Sequence, residues 1–126
     1  MRTIKFRAWD NENNCYFEPT YEAYKGNLEE LLIGMRGNLD MRTMTKFIHE
    51  SIFPDRFILE QFTGLQDKNG KDIYEGDIVK WKWMGENIAV VEFGNGCFHP
   101  KGWTNESLRN YDIKVIGNIH ENPESL

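Results

Sequence analysis

The stretch from Phe57 to Trp83 limits the fold more tightly than any other part of the chain. Two runs of β-forming residues flank a segment dense in turn formers, Gln66-Asp67-Lys68-Asn69-Gly70-Lys71-Asp72. Asn69-Gly70 is the strongest short turn signal, because both residues accept the positive φ that a tight reversal demands. Glu75-Gly76-Asp77 makes a second corner. Beyond it, Val79, Trp81 and Trp83 alternate with Ile78, Lys80 and Lys82 at the two-residue period of a strand. One face of that strand is apolar and aromatic, and the other carries two lysines.

The rest of the chain continues in short β segments. Residues 3 to 9 alternate, the polar run Asp10-Asn11-Glu12-Asn13-Asn14 turns, and Cys15-Tyr16-Phe17 returns before Pro19, which predicts an opening hairpin. Asn27 and Glu30 have the spacing of a capping box, and Leu28, Leu31, Leu32 and Met35 follow at helical intervals, so a short helix is expected from about 28 to 35. Residues 41 to 53 suit either helix or strand, with strand or irregular structure favoured. Gly85-Glu86-Asn87 leads into the apolar strand Ile88 to Phe93, and Gly94-Asn95-Gly96 leads on to Cys97-Phe98-His99. Trp103 to Leu108 reads as a connection, Asp112 to Ile119 as the last strand, and the acidic tail from Glu121 as frayed. The expected fold is mainly β, a small barrel or sandwich of six to eight strands with one short helix.

At 126 residues the chain is expected to form one domain, 1–126, large enough to bury a core without disulfide staples. Apolar residues at 40% and charged residues at 28% place it among folded proteins rather than disordered ones. The net charge of −5 counts against a dedicated non-specific nucleic-acid binder and against attachment to a membrane surface, while leaving room for a local basic patch. Residues 1 to 5 lack the apolar core of a signal peptide, and no run is long enough to cross a bilayer, so a cytoplasmic location is expected. Cys15 and Cys97 are expected as reduced thiols.

No arrangement of residues announces catalysis. Asp72 with Glu75 and Asp77, Glu29-Glu30, and Ser51 or Ser107 with any histidine are chemically capable, but none sits in a context that exposes a nucleophile or tunes a carboxyl. His49, His99, His120 and the cysteines lack paired ligand spacing, and the lysines of Asp67-Lys68-Asn69-Gly70-Lys71 would repel a calcium ion, so that loop is a turn. No metal, cofactor or catalytic residue is expected. The one candidate surface comprises Lys80, Trp81, Lys82 and Trp83, joined by Arg2, Lys5 and Arg7 if the first strand pairs nearby. Lysines for phosphates and aromatics for bases are the working parts of single-strand binders. In an alternating strand, however, the two sets point to opposite faces. Tryptophans in a core beneath a solvated lysine face explain the same pattern.

The run Thr63-Gly64-Leu65-Gln66-Asp67-Lys68-Asn69-Gly70-Lys71-Asp72-Ile73-Tyr74-Glu75-Gly76-Asp77-Ile78-Val79 resembles the hallmark of the YopX family of small bacteriophage and prophage proteins. Lys5-Phe6-Arg7-Ala8-Trp9-Asp10 resembles the family's first strand, and Val115 to Glu124 its ending. The resemblance implies a phage-associated, mostly β domain in the bacterial host cell, and supplies no catalytic or ligand-binding residues. With chemistry absent and aromatics abundant, the expectation is a non-enzymatic protein that binds a phage or host protein or assembles with itself. The alternative is a small-barrel nucleic-acid-binding protein.

Overall fold

The computed structural model describes residues 3–22, 27–103, 108 and 112–126. Contacts divide the chain into a continuous unit, Ala8–Ile58, and a discontinuous unit made of Met1–Arg7 and Leu59–Leu126. The chain passes between them inside two strands, β1 (Phe6–Asp10) and β7 (Phe57–Gln66).

In the continuous unit, β1 pairs antiparallel with β2 (Cys15–Tyr16), so the expected opening hairpin is present. Asp10 builds its turn. One carboxylate oxygen accepts from the Glu12 and Asn13 amides, the other from Asn13 Nδ2 at 2.8 Å, and Arg56 binds both from across the unit at 3.2 and 3.1 Å. The Arg56 guanidinium, ahead of the backbone donors, holds the Asp10 carboxyl below its ordinary value.

The other strands of this unit, β3 (Thr20–Glu22), β4 (Asn27–Ile33), β5 (Leu39–Thr43) and β6 (Phe47–His49), form an antiparallel meander. The helix expected over 28–35 is therefore replaced by β4. Two turns of helix are marginal alone, whereas β5 offers β4 a full ladder. Leu31 lies opposite Met41 and Ile33 opposite Leu39, both partners being buried, while Glu30 lies opposite Arg42 and forms an ion pair with it. The carboxylate assigned to a helix cap is thus used across strands. Residues 41–53 run through β5 and β6 into a single 3-10 turn, Glu50–Ile52.

The discontinuous unit contains β7, paired antiparallel with β8 (Asp72–Tyr74), and a sheet ordered β11-β10-β9-β12, with β9 at Asp77–Lys82, β10 at Glu86–Gly94, β11 at Cys97–Pro100 and β12 at Lys114–Asn118. Its core is Ile73, Val79, Trp81, Ala89, Val91, Leu108, Ile113 and Val115. The fold is mainly β, as expected. The described residues hold twelve strands rather than six to eight; residues 20–49 supply four of them, where a helix was expected over about 28–35 and strand or irregular structure from 41.

Two motif residues join these strands. Asp67 lies in the turn between β7 and β8. Its Oδ1 accepts from the amides of Asn69 and Lys71 at 2.8 and 2.9 Å, and its Oδ2 from the Val115 amide of β12 at 3.0 Å. Burial pushes this carboxyl up, but the three amides, of Val115, Lys71 and Asn69, together outweigh burial and hold it below its ordinary value.

Gly76 occupies the corner before β9. Its amide donates to Val91 of β10 at 3.0 Å and its carbonyl accepts from Ile119 just past β12 at 2.9 Å. Its φ is +83°, and a Cβ there would sit 2.2 Å from Oε2 of the buried Glu60. Only glycine meets both demands.

Two outcomes are expected in denaturant unfolding. Gly76→Ala should cost roughly 3 kcal/mol or more, since it adds displacement of Glu60 to the backbone strain. Gly70→Ala, also at positive φ but with open space around its Cβ, should cost only about 1 to 2 kcal/mol. Equal losses would contradict the steric role of Glu60. Asp67→Ala should cost about 2 kcal/mol near neutral pH, the worth of a charged acceptor serving several donors. The contribution of Asp67 is complete above the ordinary value of 3.8 and is lost as pH falls below it, so the variant's deficit should shrink in acid.

Candidate functional site

Strand β9 carries most of the candidate surface, and its alternation separates the tryptophans from the lysines. Val79 and Trp81 enter the core, Trp81 being only 2% exposed. Trp83, one residue past the strand, is 51% exposed. It is not loose. Its ring meets Trp103 edge to face with centroids 5.6 Å apart, and Trp103 meets Trp81 in the same way at 5.5 Å. The surface indole is thereby propped on the core through one intermediate ring. Met84 beside it, at the tip of the β9–β10 hairpin, is exposed along its whole length.

Lys80 and Lys82 project from the other face. Register places Lys114 of β12 directly opposite Lys80, and Glu86 opposite Lys82. Directly opposed residues share a face, so three lysines lie together. Lys68 joins them because its amide donates to the Ile113 carbonyl at 2.9 Å, fixing the Asp67–Lys71 turn beside β12. The four line a groove of about 390 Å³ together with Glu86, Asp112, Trp81 and Ile116. Glu86 Oε1 lies 3.1 Å from Lys80 Nζ, with both groups substantially in solvent.

Arg2 lies outside the described residues, and Lys5 and Arg7 are engaged elsewhere. Lys5 forms an ion pair with Asp72 and lies over the Phe62 ring. Arg7 Nε donates to Glu60 Oε1 at 2.8 Å, and its Nη2 donates to Asp77 Oδ1 at 2.8 Å and to the Glu75 carbonyl at 3.1 Å. His120 Nε2 lies 3.0 Å from the other Glu60 oxygen, and the Tyr74 amide donates to the other oxygen of Asp77. Burial pushes the Asp77 carboxyl above its ordinary value, against the Tyr74 amide and Arg7. Its ionisation therefore works against the fold as pH rises through the native value, the opposite sign to Asp10 and Asp67.

Among the described residues the structure brings together Ser51 and His49, while Ser107 lies outside them. His49 Nδ1 accepts from the Ser51 amide at 3.2 Å and lies 3.1 Å from its hydroxyl, which caps the 3-10 turn. No group of three metal-ligating side chains is close enough to hold an ion among the described residues. No helix among them is long and apolar enough to cross a membrane.

Sequence reasoning missed Lys68, Lys114, Met84 and the Trp103 prop. Lys114 alternates with Ile113 and Val115, which marks it as outward-facing, but only register brings it opposite Lys80. The tryptophans should differ sharply in denaturant unfolding. Trp81→Ala is expected to cost about 3 to 5 kcal/mol as a core truncation, whereas Trp83→Ala should lose only the ring contact, about 0.5 to 1.5 kcal/mol. Similar losses would mean that Trp83 is a core residue.

Comparison with known proteins places the chain. The YopX protein family matches residues 5–126. Protein EF1440 from Enterococcus faecalis has a similar structure, with TM-score 0.62 and 25% sequence identity, over 100% of this chain and 99% of that one. YopX from Bacillus subtilis has TM-score 0.59 and 23% identity, with the same coverage of each chain, a likeness of fold. No curated protein shows a significant match. A match across nearly the whole length, including the strand ends and corners described above, establishes that the chain belongs to the YopX family.

Proposed function

We propose that this protein is a non-enzymatic, phage- or prophage-encoded module that works in the cytoplasm of the bacterial host by binding another protein or a second copy of itself. The observation that supports this reading best is the propped Trp83 beside Met84 at the hairpin tip. Interfaces draw most of their energy from a few aromatic anchors, and an anchor held in place before binding loses little entropy on docking. A flexible methionine next to it adapts to the rim of a partner's pocket. The non-enzymatic half is supported by the use made of the buried carboxylates. Asp10, Glu60, Asp67 and Asp77 are each engaged by arginine, histidine or backbone amides that hold the fold together.

Nucleic-acid binding is the second reading. The stacking half of it would require an exposed face of Trp81, which borders the lysine groove but is almost wholly buried. The clustering of the lysines favours it.

The test is affinity capture of the tagged protein from the bacterial cytoplasm, with the lysate divided into nuclease-treated and untreated halves and the wild type compared with Trp83→Ala/Met84→Ser. A protein partner that survives nuclease and is lost from the double variant is the expected result. Self-association would appear in light scattering as a wild-type mass above that of one chain, reduced to one chain in the variant. A partner that the variant retains, or that nuclease removes, would overturn the proposal.

A further inference from the structure

We infer that the groove bounded by β9, β12 and the Asp67–Lys71 turn is a binding site for phosphate groups. Its lysines are not explained by their place in the sheet. Lysines on an edge strand blunt edge-to-edge aggregation, which accounts for Lys114 on β12. Lys80 and Lys82 lie on β9, whose neighbours are β10 and β12. Lys80 stands directly opposite Lys114, an arrangement of like charges that destabilises a sheet, and the largely solvated Glu86 carboxylate 3.1 Å from Lys80 answers only part of the groove's positive charge. Lys68 is delivered to the same groove by a turn that Asp67 and the Ile113 carbonyl fix from both sides.

The groove gathers four lysines against Glu86 and Asp112, a local excess of two positive charges on a chain of net charge −5. Glu86, opposite Lys82 and 3.1 Å from Lys80, and Asp112 balance two of the four lysines, and the cross-strand partners of Lys80 are Ile88 and Lys114. Arginine is absent from the lining, so the planar fork that suits carboxylates is missing, while lysine point charges suit the several oxygens of phosphate. At about 390 Å³ the groove holds more than one phosphate group. A nucleoside polyphosphate and a nucleic-acid backbone both offer that chemistry.

This site and the hairpin tip are separate, so each can fail alone. The intact chain would be titrated with inorganic triphosphate by calorimetry and with a short labelled oligothymidylate by anisotropy, at about 50 and 200 mM salt. At least one probe is expected to bind at the lower salt. Lys80→Gln/Lys114→Gln should weaken it about tenfold or more, and Lys80→Arg/Lys114→Arg should retain binding. Lys46→Gln/Lys101→Gln, equal in charge change but outside the groove, should stay within about twofold. The groove variant should melt close to the wild type, since relief of the opposed Lys80 and Lys114 charges offsets loss of the solvent-exposed Lys80–Glu86 pair. For the oligonucleotide, a log–log salt slope of about −2 to −3 would match three or four phosphates engaged. Tighter binding of the oligonucleotide identifies a strand backbone, and tighter binding of triphosphate a polyphosphate ligand. Failure of both probes to bind at low salt would overturn the inference, as would equal loss in the control pair or unchanged affinity in the glutamine groove variant.

Discussion

A single guanidinium holds the corner on which the discontinuous unit turns. Arg7 reaches Glu60, Asp77 and the Glu75 carbonyl within 3.1 Å, and through Glu60 it is linked to His120 near the end of the chain. Taking such charges from water costs several kcal/mol for each ion unless their partners are placed well. Here the geometry offsets part of that cost, and at Asp77 burial still outweighs it. Asp77 receives an amide as well as the arginine, and Glu60 receives the histidine as well. Because these groups come from segments 53 to 70 residues apart, satisfying the charges fixes the first strand against β7 and β9 at once. The Gly76 amide and carbonyl extend the constraint to β10 and β12.

The local parts of this design were legible in the sequence. Asn69-Gly70, Glu75-Gly76-Asp77 and the alternation after Asp77 read correctly as turn, corner and strand, because each depends on the preferences of adjacent residues. The opening hairpin was legible for the same reason. The leucines at 28 to 35 misled because helical spacing and half-buried strand spacing overlap over seven residues, and the deciding factor, pairing with Met41 and Leu39, lies outside the segment. Arg7 looked like a surface cation for the same reason: its acceptors are distant. In the candidate surface, opposite faces for lysine and tryptophan could be foreseen from period two. That Trp81 enters the core while Trp83 stays outside, and that Lys68 and Lys114 complete the lysine cluster, depended on pairing that no local pattern encodes.

Strand β9 shows how one short segment serves two purposes. Its inward residues fill the core with Val79 and Trp81, while its outward residues answer only to what lies across the sheet. Substitutions on the two faces should therefore be nearly independent, since side chains of alternate residues share no partners. An acidic chain can in this way keep repulsion from polyanions over most of its surface and attraction in one groove.

The passage of the chain between its units inside β1 and β7 has a consequence for synthesis. Residues 8–58 are complete as a contact unit once they have left the ribosome, whereas Arg7 emerges early, its partners Glu60 and Asp77 only in the middle of the chain, and His120, reached through Glu60, near the end. The interior stretch thus has all of its own contacts available before Arg7 meets its carboxylates. Strand β1 can pair with β2 as soon as the opening hairpin has emerged, but its other edge, which β7 covers, stays open until residues 57–66 arrive, and over that interval it is the edge most in need of shielding.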